Sequence, residues 1–513
     1  MIGIVISILL VVALWFLQGQ RSEIRREGKR LPRPPGTLPL AGNGIWFLQP
    51  RHKLLDWFAE VHPKVGFGTF EISVPSLPPA IVVNDPRSVE HILKNNELFI
   101  KGDFFRSRSW DLFGNGIINA DGTLWKTQRK AGLRFFSTAN LKSFIDEDLP
   151  PVIEDTKRFL DQASKEERVT DLQDVLLELT TRLMGKVAYD MDIDGSMPFS
   201  KSFDFASGQI TARFTNPFWK AKELFFGAKM RKAVTEVKSF GRKIVAGAVA
   251  KRKGEIPETG DELLKNNLIN ALLDHIDDHQ VVADAAMNFL SAGRDTTAQS
   301  LTWTFYSLMR HSSLIPNIRQ ELFTILLPKT KTSSLRLSYE TIQPTSLPYT
   351  TSIFNETIRL YPAVPFELKE NILPTTFPDG TYLPAGCVVL WVPWAMGRST
   401  LIWGPDATSY KPSRWILPDG TLLNKTAYEF PVFNAGPRTC LGKKMAECLA
   451  VYVIASLVWE YDFEEVRDPK LGGCGWGEGM ERKSQDSLTL PMEGGLPCRV
   501  KRVRVGHGRR GGK

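Results

Sequence analysis

Three patterns of apolar and polar residues divide this chain. Residues 1–17 are apolar without a charged side chain, whereas in 150–190 and 223–252 apolar residues recur every three or four positions between charges. The first pattern is typical of a membrane-spanning helix, and the second is typical of amphipathic helices that pack on a core. Shorter segments near the two ends predict strands at 66–83, 377–392 and 487–503. The chain is therefore predicted to be α+β and mainly α-helical, with small peripheral sheets.

The apolar run 1–17 predicts one N-terminal transmembrane anchor. As a helix it is about 25 Å long, close to the thickness of the endoplasmic reticulum bilayer, about 27 Å. A cleaved signal peptide is the alternative, but no positive charge precedes the run and no small-x-small cleavage site follows it. Six basic residues in 18–33 favour the cytosol for that flank. We therefore expect the body of the protein to lie on the cytosolic face of this membrane.

The rest of the chain is interpreted as one body between two basic flanks. We predict a basic, proline-rich hinge at 18–36, one domain at 37–505 and a basic tail at 506–513, because no repeat or long linker interrupts the middle. The formal net charge is +9, but the flanks hold the excess, since 499–513 carries seven basic residues and no acidic one. The nearly neutral body argues against a nucleic-acid groove. Five scattered cysteines argue against a secreted disulfide framework.

One predicted helix is unusually long and has an unusual centre. Gln280 to His311 contains no proline, and Ala292-Gly-Arg-Asp-Thr-Thr297 lies near its middle. A glycine followed by two β-branched hydroxyl residues disfavours a regular helix interior, because threonine can bond back to carbonyls of the preceding turn. The sequence therefore predicts a bend or opening at this point.

A cysteine loop near the carboxyl end is the segment with the most specific chemistry. Phe433-Asn-Ala-Gly-Pro-Arg-Thr-Cys-Leu-Gly442 is constrained by glycine and proline and directly precedes an apolar helix predicted for 443–459. Amide N–H groups at the start of that helix favour the thiolate form of Cys440, which is the form that binds metals. Cys387 and Cys448, by contrast, are interpreted as small buried apolar residues.

This loop resembles the haem-binding loop of the cytochrome P450 superfamily, Phe-x-x-Gly-x-Arg-x-Cys-x-Gly, at every specified position. Further segments resemble the superfamily's other motifs in the same order: Trp125-Lys-Thr-Gln-Arg129, the 292–297 segment, Glu356-Thr-Ile-Arg359 and Pro412-Ser-Arg414-Trp415. The resemblance covers residues from about 34 to 505 and implies the cytochrome P450 fold with haem b as the cofactor. The 292–297 segment and the cysteine loop most resemble those of fungal alkane and fatty-acid hydroxylases.

The resemblance implies a role for each motif. Cys440 would be the axial thiolate ligand of the iron, and Asp295 and Thr296 would be the acid and alcohol that supply protons during oxygen activation. Glu356, Arg359 and Arg414 would form a buried structural network. The other residues implied to contact the haem are Trp125, Arg129, Lys369, Phe433, Gly436, Arg438 and Gly442. Lys369 stands where related families often carry an arginine.

The substrate side that the resemblance implies is apolar. Ordinary core packing is the alternative for each residue of this set, which comprises Phe104, Phe105, Phe113, Phe214, Ala292 and Val364. No cationic anchor for a substrate carboxylate is evident, although Arg106 and Arg108 are candidates.

Together these features predict a haem-thiolate monooxygenase that oxidises a lipophilic substrate, either an aliphatic chain or a fungal polyketide or terpenoid. Electrons would come from a separate NADPH-dependent reductase, with cytochrome b5 as a further candidate donor. The docking face would be basic and would include Lys126, Lys130, Lys443 and Lys444. A haem-thiolate isomerase or dehydratase that uses no oxygen and a non-catalytic haem protein are the alternatives. The Asp295–Thr296 pair argues against both.

Overall fold

The computed structural model describes residues 23–503, except 40, 75–76, 217, 256–266, 327–336, 472 and 474–479. The predicted anchor at 1–17 and the predicted tail at 506–513 lie outside these residues. Within the described part of the chain, no helix is long and apolar enough to cross a membrane.

Helices form most of the described chain, as the apolar spacing predicts. Their bounds are α1 Gly44–Phe47, α2 Arg51–Lys64, α3 Pro86–Lys94, α4 Gly102–Phe113, α5 Gly122–Phe135, α6 Thr138–Ser143, α7 Leu149–Lys165, α8 Leu172–Tyr189, α9 Pro198–Thr215, α10 Trp219–Phe226, α11 Ala228–Arg252, α12 Leu268–Leu273, α13 His279–Arg310, α14 Ile315–Leu326, α15 Pro348–Leu360, α16 Pro393–Met396, α17 Thr400–Trp403 and α18 Lys443–Glu460. A π-helical turn at Phe144–Asp148 leads into α7.

Short strands form three small sheets at the periphery. Their bounds are β1 Arg25–Arg26, β2 Phe70–Ile72, β3 Ala80–Val82, β4 Phe99–Ile100, β5 Thr170–Asp171, β6 Glu367–Asn371, β7 Thr375–Thr376, β8 Thr381–Leu383, β9 Val388–Trp391, β10 Tyr461–Glu465 and β11 Pro497–Arg502. The largest sheet has the order β2-β3-β9-β6-β4, in which only β3 and β9 pair in parallel; the other two are β1-β8-β7 and β10-β11-β5. The predicted mainly α-helical architecture with small sheets is confirmed.

The central helix α13 passes through the core. Its observed bounds, His279–Arg310, differ by one residue at each end from the prediction, and the Asp278 carboxylate caps its first turn by accepting from Gln280 N at 2.8 Å. Nearly every residue from Val282 to Leu308 is buried, because α8, α11, α15 and α18 all pack against this helix. The helix is continuous through 292–297, so it does not break where the sequence predicts a bend or opening; a bend at this point stays a prediction.

The helix predicted for 150–190 is divided in the structure. After α7, Glu167 adopts a left-handed backbone with φ of 51°, and β5 then pairs with β11. The Asp171 side chain accepts from Gln173 N at 2.9 Å and starts α8. A strand pairing with a distant part of the chain therefore overrides the local helical pattern.

The described part of the basic, proline-rich flank packs on the body. Ile24 and Leu31 are buried in a small core cluster beside the β1-β8-β7 sheet. Arg26 donates to Asp379 Oδ2 at 2.5 Å, and Arg33 pairs with Glu71 at 3.1 Å. Part of the positive charge of this flank is therefore paired with acidic residues of the domain.

Candidate active site

A cavity of about 810 Å³ lies among α2, α4, α5, α9, α13 and the cysteine loop. Its wall is mostly apolar, and Cys440, Asp295 and Thr296 all contribute to it. Cavities of this size with a few polar groups are typical of sites for small organic molecules. The two motifs that the sequence singled out therefore meet at one cavity.

The cysteine loop is held in one conformation by its glycine and by hydrogen bonds. Gly436 has φ of +60°, and a Cβ at this position would overlap the carbonyl oxygen of Leu93 at the end of α3, so glycine is required here. The Cys440 amide donates to Phe433 O at 2.8 Å, and Arg438 Nη2 donates to Asp121 Oδ1 at 2.6 Å. These contacts fix the position of the cysteine sulfur, while Gly436 itself does not line the cavity.

Cys440 differs from the other described cysteines. Cys387, Cys448 and Cys498 are buried, whereas Cys440 is exposed and lines the cavity. Burial raises the pKa of Cys440, and backbone N–H groups of Gly442 and Lys443 together with the Arg129 charge oppose this rise without reversing it. The backbone N–H groups that the sequence predicts beside Cys440 are present, but they lower its pKa by less than desolvation raises it. Burial therefore favours the neutral thiol, and coordination to a metal would deprotonate it.

Cationic side chains gather where the cavity meets the cysteine loop. Lys101, Arg129, Lys369 and Arg438 line it, together with Trp125, whose ring lies 4.2 Å from the Arg438 guanidinium. Lys369 is 4% exposed, its Nζ has no hydrogen-bond partner in the described part of the chain, and burial lowers its pKa well below the ordinary range. An unpaired buried ammonium is costly. This donor set fits the two propionate carboxylates of a haem, whose planar apolar body also matches the wall.

Asp295 and Thr296 occupy different environments on α13. Asp295 is buried and accepts from Arg294 Nη1 at 2.6 Å, and the same nitrogen donates to Asp204 Oδ1 at 2.9 Å. Burial raises the pKa of Asp295 to about 7, the Arg294 charge lowers it and the Asp204 charge raises it. Thr296 is half-buried, and its Oγ1 donates to Ala292 O at 2.6 Å. Burial therefore favours the protonated form of Asp295 more than that of an exposed aspartate, and the Thr296 hydroxyl reaches the cavity.

The predicted ionic network is present and lies outside the cavity wall. Glu356 and Arg359 are fully buried, and their side chains are joined by two bonds of 2.7 Å. Arg414 Nε donates to the same carboxylate at 3.0 Å, and Trp415 Nε1 donates to it at 2.9 Å. These residues therefore connect α15 with the segment that contains the 3₁₀ turn Pro412–Trp415.

Most of the predicted substrate residues line the cavity. Phe105, Phe113, Phe214, Ala292 and Val364 belong to its wall, as do Phe433 and Gly442 of the loop. Phe104 does not; its ring packs against Phe214 at a centroid distance of 5.9 Å and lies 3.8 Å from the Arg108 guanidinium.

The two arginines proposed as carboxylate anchors are not in the cavity wall. Arg108 donates to Phe104 O and Arg213 O, and Arg106 lies over the Trp110 ring at 5.5 Å. Sequence reasoning also missed three charged residues near the cavity, namely Lys101, Arg294 and Arg51. Of these, Lys101 pairs with Glu367 at 3.5 Å. Only the folded chain brings such partners together, because they are far apart in sequence.

Comparison with known proteins agrees with this geometry. The family model described as Cytochrome P450 matches residues 32–483. This chain belongs to the cytochrome P450 family. It is 29% identical over 477 residues to "Cytochrome P450 monooxygenase cyp1" of Mycosarcoma maydis, covering 90% of this chain and 73% of that protein. It is 31% identical over 490 residues to "Cytochrome P450 704B1" of Arabidopsis thaliana, covering 86% and 92%.

Family membership confirms three predictions made from the sequence. Cytochromes P450 bind haem through a cysteine thiolate, so this chain is a haem protein and an oxidoreductase of the monooxygenase class. The predicted superfamily, cofactor and enzyme class are therefore confirmed. The similar proteins include fungal and plant chains at similar identity, and the names of the proteins given above do not state a substrate.

Proposed function

We propose that this protein is a membrane-bound monooxygenase in which Cys440 is the axial ligand and a lipophilic substrate occupies the 810 Å³ cavity. The observation that carries the proposal is the juxtaposition in that cavity of one exposed thiol with the Asp295–Thr296 pair. The other described cysteines are buried elsewhere and could not serve as ligand without rearrangement of the core.

The residues of this chain would hold the cofactor in a defined way. Cys440 would bind the iron, while Arg129 and Lys369 would neutralise the propionates and Trp125 would pack beside them. The bound haem supplies the oxygen-activating chemistry. Lysine at position 369 provides charge but not the bidentate geometry of an arginine, and its unpaired Nζ supports this assignment.

Asp295 and Thr296 would supply the protons that oxygen activation consumes. A carboxyl group whose pKa is near 7 can both give and regain a proton at neutral pH. Arg294 pairs with both Asp295 and Asp204. Because the Asp204 side chain is 46% exposed, this chain of ion pairs would connect the Asp295 carboxyl to solvent. Thr296 lies one residue further along the helix, where its hydroxyl can exchange hydrogen bonds with molecules in the cavity.

The substrate proposed for this site is lipophilic, either an aliphatic chain or a polyketide or terpenoid of a fungal biosynthetic pathway. The aromatic and aliphatic wall contributed by Phe105, Phe113 and Phe214 supports that class. The motif resemblance to alkane and fatty-acid hydroxylases favours the aliphatic chain.

We also propose that an NADPH-dependent reductase, with cytochrome b5 as a second candidate, supplies the electrons at the endoplasmic reticulum membrane. Lys126 and Lys130 are exposed on α5, and Lys443 is exposed at the start of α18, directly after the cysteine loop. Lys126 and Lys443 each have one acidic neighbour, at 3.3 and 3.9 Å, and Lys444 donates to Gln343. Exposed lysines on this face would attract an acidic partner.

Cys440→Ala with product analysis tests the proposal. The reduced carbon monoxide complex of the wild-type protein should absorb at the thiolate position, and the variant should lose that band, whereas Cys448→Ala should keep it. Products of the wild-type enzyme should contain one atom of labelled oxygen from O₂. A product that forms equally well without oxygen would instead support an isomerase or dehydratase, and persistence of the thiolate band in Cys440→Ala would contradict the ligand assignment.

A further inference from the structure

Arg51 places a cationic group in a part of the cavity wall that the cysteine loop does not form. It is the first residue of α2, it is 6% exposed, and it lines the cavity together with Phe58, Phe366 and Leu488. Its guanidinium carbon lies 5.9 Å from the centroid of the Phe366 ring. The surroundings of Arg51 are therefore mostly apolar. The cationic side chains assigned to the haem propionates lie on other helices and strands.

The guanidinium is only partly satisfied by its neighbours. Nη1 donates to the carbonyl oxygens of Ser487 and Thr489, and Nη2 donates to Leu488 O at 3.3 Å. Nε is buried and has no hydrogen-bond partner among the described residues. Arginine has five N–H donors, so Nε–H and a second Nη2–H remain. If the side chain turns this edge toward the cavity, a planar carboxylate can bridge the two nitrogens in the bidentate arrangement.

The positive charge of Arg51 also lacks a direct counter-ion. In the described part of the chain its guanidinium forms no ion pair; the nearby Asp486 carboxylate accepts from the backbone amide of Arg51 at 3.3 Å. Burial lowers the pKa of Arg51 to about 10, and the Asp486 charge opposes this only in part. A buried charge without a bonded partner is destabilising, so an anion that reached it would be bound favourably.

Small polar side chains beside Arg51 complete a candidate site for a polar head group. The hydroxyl oxygens of Ser207 and Ser487 are 3.0 Å apart, and both residues line the cavity. The wall of the same cavity also contains aromatic residues and the cysteine loop.

We propose that Arg51 binds the carboxylate of a long-chain anionic substrate whose apolar chain extends through the cavity toward Cys440. This inference rests on the proposed monooxygenase function and narrows its aliphatic substrate class to carboxylates.

Paired ligands and charge variants test this assignment in the holoenzyme. Hexadecanoate and 1-hexadecanol have the same chain and differ in the charge of the head group, so their dissociation constants isolate the effect of the anion. Binding is measured by the shift of the haem Soret band and by titration calorimetry. Arg51→Gln keeps N–H donors for the carbonyls of residues 487–489 but removes the positive charge. Arg51→Lys keeps the charge but loses the planar guanidinium that allows bidentate hydrogen bonding. Asp486→Asn removes the negative charge near Arg51 that would repel a carboxylate, and it leaves residue 51 itself unchanged.

The wild-type protein should bind hexadecanoate about tenfold or more tightly than 1-hexadecanol. Arg51→Gln should remove that advantage, Arg51→Lys should keep part of it, and Asp486→Asn should increase it, while the affinity for 1-hexadecanol changes less than twofold. Equal weakening of both ligands in Arg51→Gln, or unchanged hexadecanoate binding, would overturn the proposal. Oxidation of 1-hexadecanol without any advantage for hexadecanoate would overturn the assignment of Arg51 alone. No spectral response to either ligand would overturn it together with the aliphatic substrate class.

Discussion

Glu356→Gln removes one charge from the most highly connected buried carboxylate of the site region. Oε1 of Glu356 accepts from Arg359 Nη2, Arg414 Nε and Lys411 N at 2.7, 3.0 and 2.7 Å, and Oε2 accepts from Arg359 Nε and Trp415 Nε1 at 2.7 and 2.9 Å. Glutamine offers one oxygen, so its amide nitrogen must face at least two of these donors. Both guanidinium groups also lose their shared counter-charge. Breaking a buried ion pair in this way costs about 3–5 kcal/mol.

We therefore expect the free energy of unfolding of Glu356→Gln to fall by about 3–5 kcal/mol and its haem content to fall in parallel. Urea unfolding followed by circular dichroism, together with the haem-to-protein absorbance ratio, measures both. The matched control is Glu340→Gln, because the Glu340 side chain is 69% exposed and pairs with Lys142 at 3.2 Å on the surface. That change should stay within about 0.5 kcal/mol of wild type. A Glu356→Gln protein as stable as the control would refute the argument that this carboxylate compensates buried charge.

Three further predictions concern catalysis. Thr296→Ala should retain haem but divert electrons from NADPH to hydrogen peroxide, and unchanged coupling of NADPH to product would contradict the role of its hydroxyl. Because burial raises the pKa of Asp295 to about 7, its protonated fraction falls as pH rises through 7; turnover should decline from pH 6 to 8, and Asp295→Asn should be slower and lack this decline. A decline that persists in that variant would assign it to another group. Lys126→Glu with Lys443→Glu should slow reductase-supported turnover, most strongly at low salt, but not peroxide-supported turnover; equal loss of both would indicate damage to the fold.

Features determined by nearby residues could be predicted from the sequence. The helix after the cysteine loop was predicted for 443–459 and ends at Glu460, and the long helix differs by one residue at each end. The pairing of Glu356 with Arg359 also follows from a short spacing. In each case the interacting groups are within a few residues of each other, so local geometry determines the result.

Features that depend on distant partners could not be predicted. The Arg294 guanidinium reaches Asp204 across 90 positions, and Arg51 meets the 487–489 carbonyls across more than 430. The strand β5 interrupts a helical pattern because it pairs with Pro497 and Cys498. Nothing in the local sequence of these residues indicates which part of the chain will face them, so burial and partner choice emerge only with the tertiary structure.

The hydrogen bond between Thr296 and Ala292 O determines what the hydroxyl can offer to a molecule in the cavity. A hydroxyl has one proton, and here that proton points at a backbone carbonyl 2.6 Å away, so the cavity receives only lone pairs. Thr296 is thus an acceptor at rest and becomes a donor only by rotating and releasing the carbonyl. A neutral hydrogen bond contributes only about 0.5–1.5 kcal/mol. A molecule in the cavity with a stronger acceptor would therefore cause the Thr296 hydroxyl to turn away from Ala292 O and donate to that molecule. The direction of this proton therefore depends on whether the molecule in the cavity offers a stronger acceptor than Ala292 O.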